Sequence, residues 1–371
     1  MNVTIEREAI LRILSRTQGV VDKRHSMAVL TNALVEAKDN QIHVVATDLE
    51  VSLRQSCTAK VATAGRAAAS ARTLFEIVRE STAEEISIET LDNQWIGVSY
   101  GTSNFKLMGI NPDEHPGMPA ASGNGAKKVS LELDVGDFSE MIRKTVFAVS
   151  SDDTRSNLAG VYLDAAPTKG SLRMVATDGH RLALIDRAAG GATPTEGVIL
   201  PRKGLAEVGK MLADETGAVT LSLIGNEAMI EIGDSLLSMR LVEGSFPEYQ
   251  KVVPESTEHD IRLDRDTLLH TLRRVSILSS ERARGVRFKL SPGTLEISAN
   301  NPDMGEASEQ LPIEYGGGEM EVGFNARYLI DVLGVTTEGS EIELGLGDEL
   351  SPGLIRSDDK GYCYVVMPMR I

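Results

Sequence analysis

A strand that runs directly into an amphipathic helix occurs three times along this chain: as NVTIEREAILRILSRTQGVV, as VSLELDVGDFSEMIRKTVFAVS from Val129, and as DIRLDRDTLLHTLRRVSIL from Asp260. In each copy apolar residues first alternate and then recur at helical spacing, the change of period that marks a strand giving way to a helix. In the first copy Ile10, Leu11, Ile13 and Leu14 form the apolar stripe and Arg12 and Arg16 fall off it; Arg143 with Lys144 and Arg273 with Arg274 are placed similarly in the others. A second element follows each time, HVVATDLEVSLRQ, LRMVATDGHRLALI and LEISANNPDMGEA, with Ala46, Ala176 and Ala299 at equivalent points. A second helix follows in AASARTLFEIVREST, ILPRKGLAEVGKMLA and VGFNARYLIDVLGVT, where Arg72, Arg202 and Ala326 repeat the spacing to within one residue. The period, about 125 residues, is too long for a solenoid unit and fits three whole domains of one fold.

Each repeat closes in alternating segments broken by turns such as Gly225-Asn226 and Leu91-Asp92-Asn93, the pattern of antiparallel hairpins. The expected fold class is therefore α+β, with two helices laid on one face of an antiparallel sheet in each repeat. A chain of 371 residues, 42% of them hydrophobic, can fill several cores. Polar or Pro-containing stretches near residues 122 and 255 set the expected domains at 1–126, 127–252 and 253–371. Arrays of equivalent domains more often build an extended surface or a ring than a single catalytic cleft.

The formal charge of −16 argues against a tight grip on nucleic acid, but only on average, because whole-chain charge is silent about distribution. Locally, positive charge gathers on the helical segments: Arg7, Arg12, Arg16, Lys23 and Arg24, then Arg72 and Arg79, Arg202, Lys203 and Lys210, and Arg273, Arg274, Arg282 and Arg284. Scattered cations of this kind suit phosphate contact without base reading. Asp178 and His180 could form a hydrolytic pair, the alternative of another class, yet no GxSxG or equivalent supplies a nucleophile. The six histidines show no HExxH spacing, and Cys57 and Cys363 form no CxxC, so no metal and no cofactor is implied. The N-terminal segment has no apolar core of a signal peptide, and the expectation is a soluble, cytoplasmic protein without a membrane partner.

The stretches VATDGHRLAL, ILPRKG, LVEGSFPEY, ILSSERARGVRF and the terminal YVVMPMRI together resemble the bacterial sliding-clamp family, the β subunit of DNA polymerase III. The resemblance spans the whole chain. It implies a non-enzymatic processivity factor: a head-to-tail dimer of three-domain subunits, closed into a six-domain ring with helices inside and sheets outside, encircling duplex DNA. Two helices from each domain at about 10 Å spacing would occupy a circle of roughly 120 Å, leaving a hole of roughly 28 Å, wide enough for a hydrated duplex.

The resemblance also implies site residues. DNA contacts fall at Arg24, in the loop VDKRHS, and at Lys203, with Arg72, Arg143 and Arg202 on the same helical faces. The segment TRSNLAG departs from the family where further contacts would lie, at Arg155 and Ser156. A groove for short apolar peptides, carried by the polymerase catalytic subunit, the clamp loader, other polymerases and repair proteins, is built from the turn Thr177, Gly179, His180, Arg181 and Leu182. Leu158, Pro247, Lys251, Val252 and Tyr328 join it, as does the tail Val365, Val366, Met367, Pro368, Met369 and Arg370. Met367 and Met369 are adaptable and polarizable, and Pro368 keeps the backbone extended. Two departures, Lys251 where the family often has Arg and the loop Leu350-Ser351-Pro352-Gly353, bear on peptide preference. For the dimer, an edge strand over residues 102–108 is expected to pair with the third domain of the second copy, burying Phe105 and Leu107 against Ile277 and Leu278.

Overall fold

Among the described residues six α-helices carry the repeat: α1 (Arg7–Val20), α2 (Ala71–Glu80), α3 (Val135–Thr145), α4 (Arg202–Leu212), α5 (Arg265–Val275) and α6 (Ala326–Val335). The computed structural model describes residues 1–21, 27–119, 128–152, 154–280 and 284–370. Among these, no helix is long and apolar enough to cross a membrane. Four of these helices begin at a side-chain cap. Ser70 accepts from Thr73 N ahead of α2, Asp134 from Gly136 N and Asp137 N ahead of α3, Asp264 from Thr267 N ahead of α5, and Asn325 from Arg327 N ahead of α6. Of the expected apolar stripe of α1, Ile10, Ile13 and Leu14 are buried and Leu11 is half-buried, and Val20 extends the buried face.

Packing divides the chain into two compact units, one of residues 1–139, 189–194 and 203–241, the other of residues 140–188, 195–202 and 242–371. The repeats do not keep one sheet each, as the alternating segments suggested, because strands at the end of one repeat pair with strands of the repeat before. In the first unit a five-stranded sheet runs Lys60–Thr63, Asn2–Glu6, Glu85–Thr90, Ile96–Tyr100, Ser103–Leu107. Its ten-stranded companion joins the first repeat to the second where Val51–Thr58 pairs with Ser235–Arg240. In the second unit an eight-stranded sheet joins the second repeat to the third where Arg181–Ala188 pairs with Tyr362–Val366, and a four-stranded sheet runs Gly305–Pro312, Thr294–Asn301, Gly285–Ser291, Met320–Asn325. All of these pairings are antiparallel.

Register makes the repeats comparable residue by residue. Reading across from the first strand of the second repeat, the row is Leu131, Leu221, Ile230, Leu237, and it continues into the first repeat at Leu53. From the third repeat it is Ile261, Leu344, Ile355, Tyr364, continuing into the second repeat at Ala183. From the first repeat it is Val3, Ile88, Val98, Phe105, and there it stops at a sheet edge. Phe105 thus occupies the position of Leu237 and Tyr364, which are fully buried, but is 36% exposed.

Two arginine-class positions off the apolar stripes are not solvated. Arg16 is buried and reaches Asp214 and Glu215. Lys144, at the same place in α3, is buried among Glu140, Asp359 and the ring of Tyr362. The reason is that each helix end is covered by part of the following repeat, which sequence spacing within one repeat does not reveal.

Candidate functional site

On one face of the eight-stranded sheet, alternation and register place apolar side chains in two adjoining rows. One is Tyr162, Val175, Leu184 and Cys363, the other Leu182, Val365 and Leu354. The segment 246–253 lies against them through Phe246, Tyr249, Val252 and Val253. The Tyr162 and Phe246 rings stack at 4.8 Å, and Tyr249 packs against both. Of these, only Leu182, Val252 and Val365 were anticipated. The aromatic members sit far from one another in the chain and meet only through strand pairing, so no local motif announces them.

The turn 177–182 forms one rim. Its shape is set by short polar side chains: Thr177 Oγ1 donates to Arg181 O at 2.6 Å and accepts from Gly179 N, while Asp178 accepts from His180 N and Arg181 N. Gly179 has φ +88°, which a side chain would strain. The tail is tied across the turn, with Met367 N donating to His180 O and Met369 N to Gly323 O, both at 2.8 Å. Val365 and Val366 are buried, Met367, Pro368 and Met369 half-buried, and Arg370 exposed. Leu158 is buried with its carbonyl accepting from Ser150 N. Pro247 is exposed, and Lys251 pairs with Glu248 at the surface.

Arg181 points to the other face of the sheet. Its guanidinium donates to Asp178, to Asp331 at 2.6 Å and to Phe147 O at 2.7 Å, and lies 4.5 Å over the Tyr328 ring. Burial works against its charge, but Tyr364, Asp331 and Asp178 outweigh it and raise its pKa above the ordinary value. Arg181 therefore braces the rim from beneath and is not free to orient a ligand. Asp178 is equally committed, with its carboxylate spent on capping the turn and holding Arg181, while the His180 ring stacks against Tyr328. That geometry gives no support to a hydrolytic pair.

Beyond this rim lies a cleft of about 570 Å³ whose lining includes Arg155, Arg202, Arg284 and Arg327. The other expected cation sites are dispersed. Arg72 is exposed and pairs with Glu76, Arg143 donates to Val335 O, and Lys203 contacts Asp48 and Val20 O. Arg24 lies outside the described residues. Of the expected dimer residues, Ile277 is 67% exposed, Phe105 packs on Tyr100, and Leu107 and Leu278 are half-buried.

Comparison with known proteins returns one family in three successive matches. Family models for the DNA polymerase III beta subunit match its N-terminal domain at residues 1–119, its central domain at 132–248 and its C-terminal domain at 250–370. The Beta sliding clamps of Caulobacter vibrioides and Pseudomonas putida are 34% identical over 377 residues and 35% identical over 380, each covering 100% of both chains. Solved sliding clamps from Bartonella birtlesii and Pseudomonas aeruginosa, both bound to griselimycin, superpose with TM-scores of 0.94 and 0.92 at 31% and 34% identity, again over 100% of each chain.

Proposed function

The chain belongs to the DNA polymerase III beta subunit family, and from that membership we propose that it works as a sliding clamp, a non-catalytic ring that holds replication enzymes on DNA. Two copies join head to tail around duplex DNA in the cytoplasm. The polymerase III catalytic subunit, the clamp loader, other polymerases and repair proteins attach by short apolar peptides.

One observation carries the reading: the row of paired strands that crosses each repeat junction is left unfinished at Phe105. Its natural continuation is Gly305–Pro312, the strand equivalent to Val51–Thr58 and Arg181–Ala188, which is also a sheet edge. Ala299 pairs with Ala307 as Ala46 pairs with Leu53 and Ala176 with Ala183. Phe105 of one copy then falls opposite Ala307 of the second, with Lys106 opposite Glu306. Phe147, which packs 5.9 Å from the Tyr364 ring, has Ile277 as its equivalent, so Ile277 of the second copy falls against Phe105. Each chain presents one edge of each kind, and head-to-tail pairing satisfies both.

The surface above the cluster of Tyr162 and the buried Leu182, Leu354 and Val365, rimmed by residues 177–182 and the tail, is taken as the docking site for the peptides. Arg72, Arg143, Arg202 and Lys203, with Arg24 from the sequence, supply weak phosphate contacts that permit sliding. The test is topological. The wild-type protein should sediment as a dimer and, once loaded, stay on nicked circular DNA and leave when the circle is cut. Phe105→Ala should shift it toward monomer, losing about 2–3 kcal/mol of association. A Phe105→Ala protein that dimerises and is retained as well as wild type would refute closure at this edge.

A further inference from the structure

The tenth residue of the first helix in each repeat is a cation: Arg16 in α1, Lys144 in α3 and Arg274 in α5. Two of the three are buried and neutralised by the repeat that follows. Arg16 reaches Asp214 at 3.4 Å and Glu215 at 3.5 Å, two and three residues beyond the end of α4. Lys144 reaches Asp359 at 2.7 Å, in the turn between Ser357 and Tyr362. An ion pair therefore crosses each junction within the chain. Arg274 differs. It is exposed, and its guanidinium donates from Nε and Nη2 to Glu309 of its own repeat, whose Oε1 also accepts from the buried Thr271 at 3.2 Å.

Register gives Glu309 its place at the closing edge. It stands two residues past Ala307, as Gln55 does past Leu53 and Ile185 past Ala183, and those two residues pair with Ser235 and Tyr362. The head-to-tail pairing of edges then sets Glu309 opposite Ser103 of the second copy. A position that holds an amide at the first junction and an aliphatic side chain at the second thus holds a carboxylate here. Gln55 lies 3.0 Å from Ser235 Oγ and, with its amide turned to satisfy both ends, accepts from Arg16 at 3.3 Å. The acids of the inner junctions have no counterpart in the first repeat: two and three residues beyond the end of α2 stand Thr82 and Ala83, and the turn corresponding to that of Asp359 is Gly101-Thr102. We propose that the closing joint dispenses with the ion pair that crosses each inner junction and neutralises Arg274 within its own chain, at Glu309, so that the joint parts without stranding a charge. A cation paired across a junction loses its partner when the halves separate, which is costly, whereas Arg274 keeps Glu309 whether the joint is made or broken. The inference rests on the head-to-tail reading and adds to it a reason for easy parting.

The experiment follows subunit exchange. Full-length protein grown on heavy isotopes is mixed with unlabelled protein of the same sequence, and hybrid dimers are counted over time by native mass spectrometry. Glu309→Gln combined with Thr82→Asp and Ala83→Glu copies Gln55, Asp214 and Glu215 into the joint. This variant should exchange about tenfold more slowly than wild type at low salt. Adding Arg274→Gln, or raising salt to about 0.3 M, should remove the gain. Arg274→Gln with Glu309→Gln deletes the pair and should change exchange by less than about twofold, because the pair does not span the copies. Exchange about tenfold faster in that double variant would mean that the pair does bridge them, and unchanged exchange in the copied variant would mean that the joint has no place for a crossing pair. Either result overturns this inference while Phe105→Ala still loosens the dimer. If Phe105→Ala exchanged as wild type does, the head-to-tail register would fail and this inference with it.

Discussion

At the level of single residues, the two junctions within the chain share a strand register and differ in side chains. Leu182, Leu184 and Val365 of the groove have register equivalents Ser52, Arg54 and Ser238 at the junction of the first and second repeats. An apolar peptide has a floor at one and polar groups to desolvate at the other. Leu182→Ser with Val365→Ser, which copies the polar junction into the groove, should weaken apolar-peptide binding at least tenfold by calorimetry and leave the dimer in place. The rim turn and the tail were legible because each is one contiguous motif. The fixed role of Arg181 was not, since Asp331 and Phe147 are distant in sequence. Nor was the ionic cluster in which Arg187 meets Glu140 and Asp359. Burial pushes the Asp359 and Glu140 carboxyls up, but hydrogen bonds and charges from Arg187 and Lys144 outweigh it, and both sit below the ordinary carboxylate range. A lowered pKa contributes stability that is complete above the unfolded value near 4 and is lost as pH falls through the folded one. Titration from pH 6 to pH 3 should therefore destabilise wild type more than Asp359→Asn, read as the change in denaturant midpoint.

Strands and helices were the most legible level, because periods of 2 and 3.6 are local properties. The six helices described fall within the segments where the sequence repeats its helical pattern, and the Gly225-Asn226 turn lies between paired Ile224 and Glu227. Which strands share a sheet was not legible, since pairing across a repeat boundary leaves no trace in either segment. The register inferred for closure is correspondingly strict. A shift of one residue would turn every side chain to the opposite face. Asn104→Cys combined with Ser308→Cys places thiols directly opposite in the proposed pairing and should give a covalent dimer on mild oxidation, seen on a non-reducing gel. Asn104→Cys with Ala307→Cys puts them on opposite faces and should not. Efficient linking by the second pair and none by the first would mean a different register.

For the whole molecule, the proposed sliding role sets the acidic total against the scattered cations assigned to phosphate contact, a balance between holding DNA and moving along it. Arg72→Ala and Lys203→Ala should each reduce loading at moderate salt and flatten its salt dependence without changing sedimentation, because each removes about one phosphate contact. The unfinished row at Phe105 has a further consequence for how such a ring opens. Once one joint between two chains has formed, the remaining pair of edges belongs to a single particle, and they face each other at an effective concentration on the order of millimolar. Breaking one joint then costs much less than separating the chains, and it is undone without a second encounter in solution. A loader need only prise apart one clasp and let go; the intact joint keeps the loose ends within reach until the circle shuts around its strand.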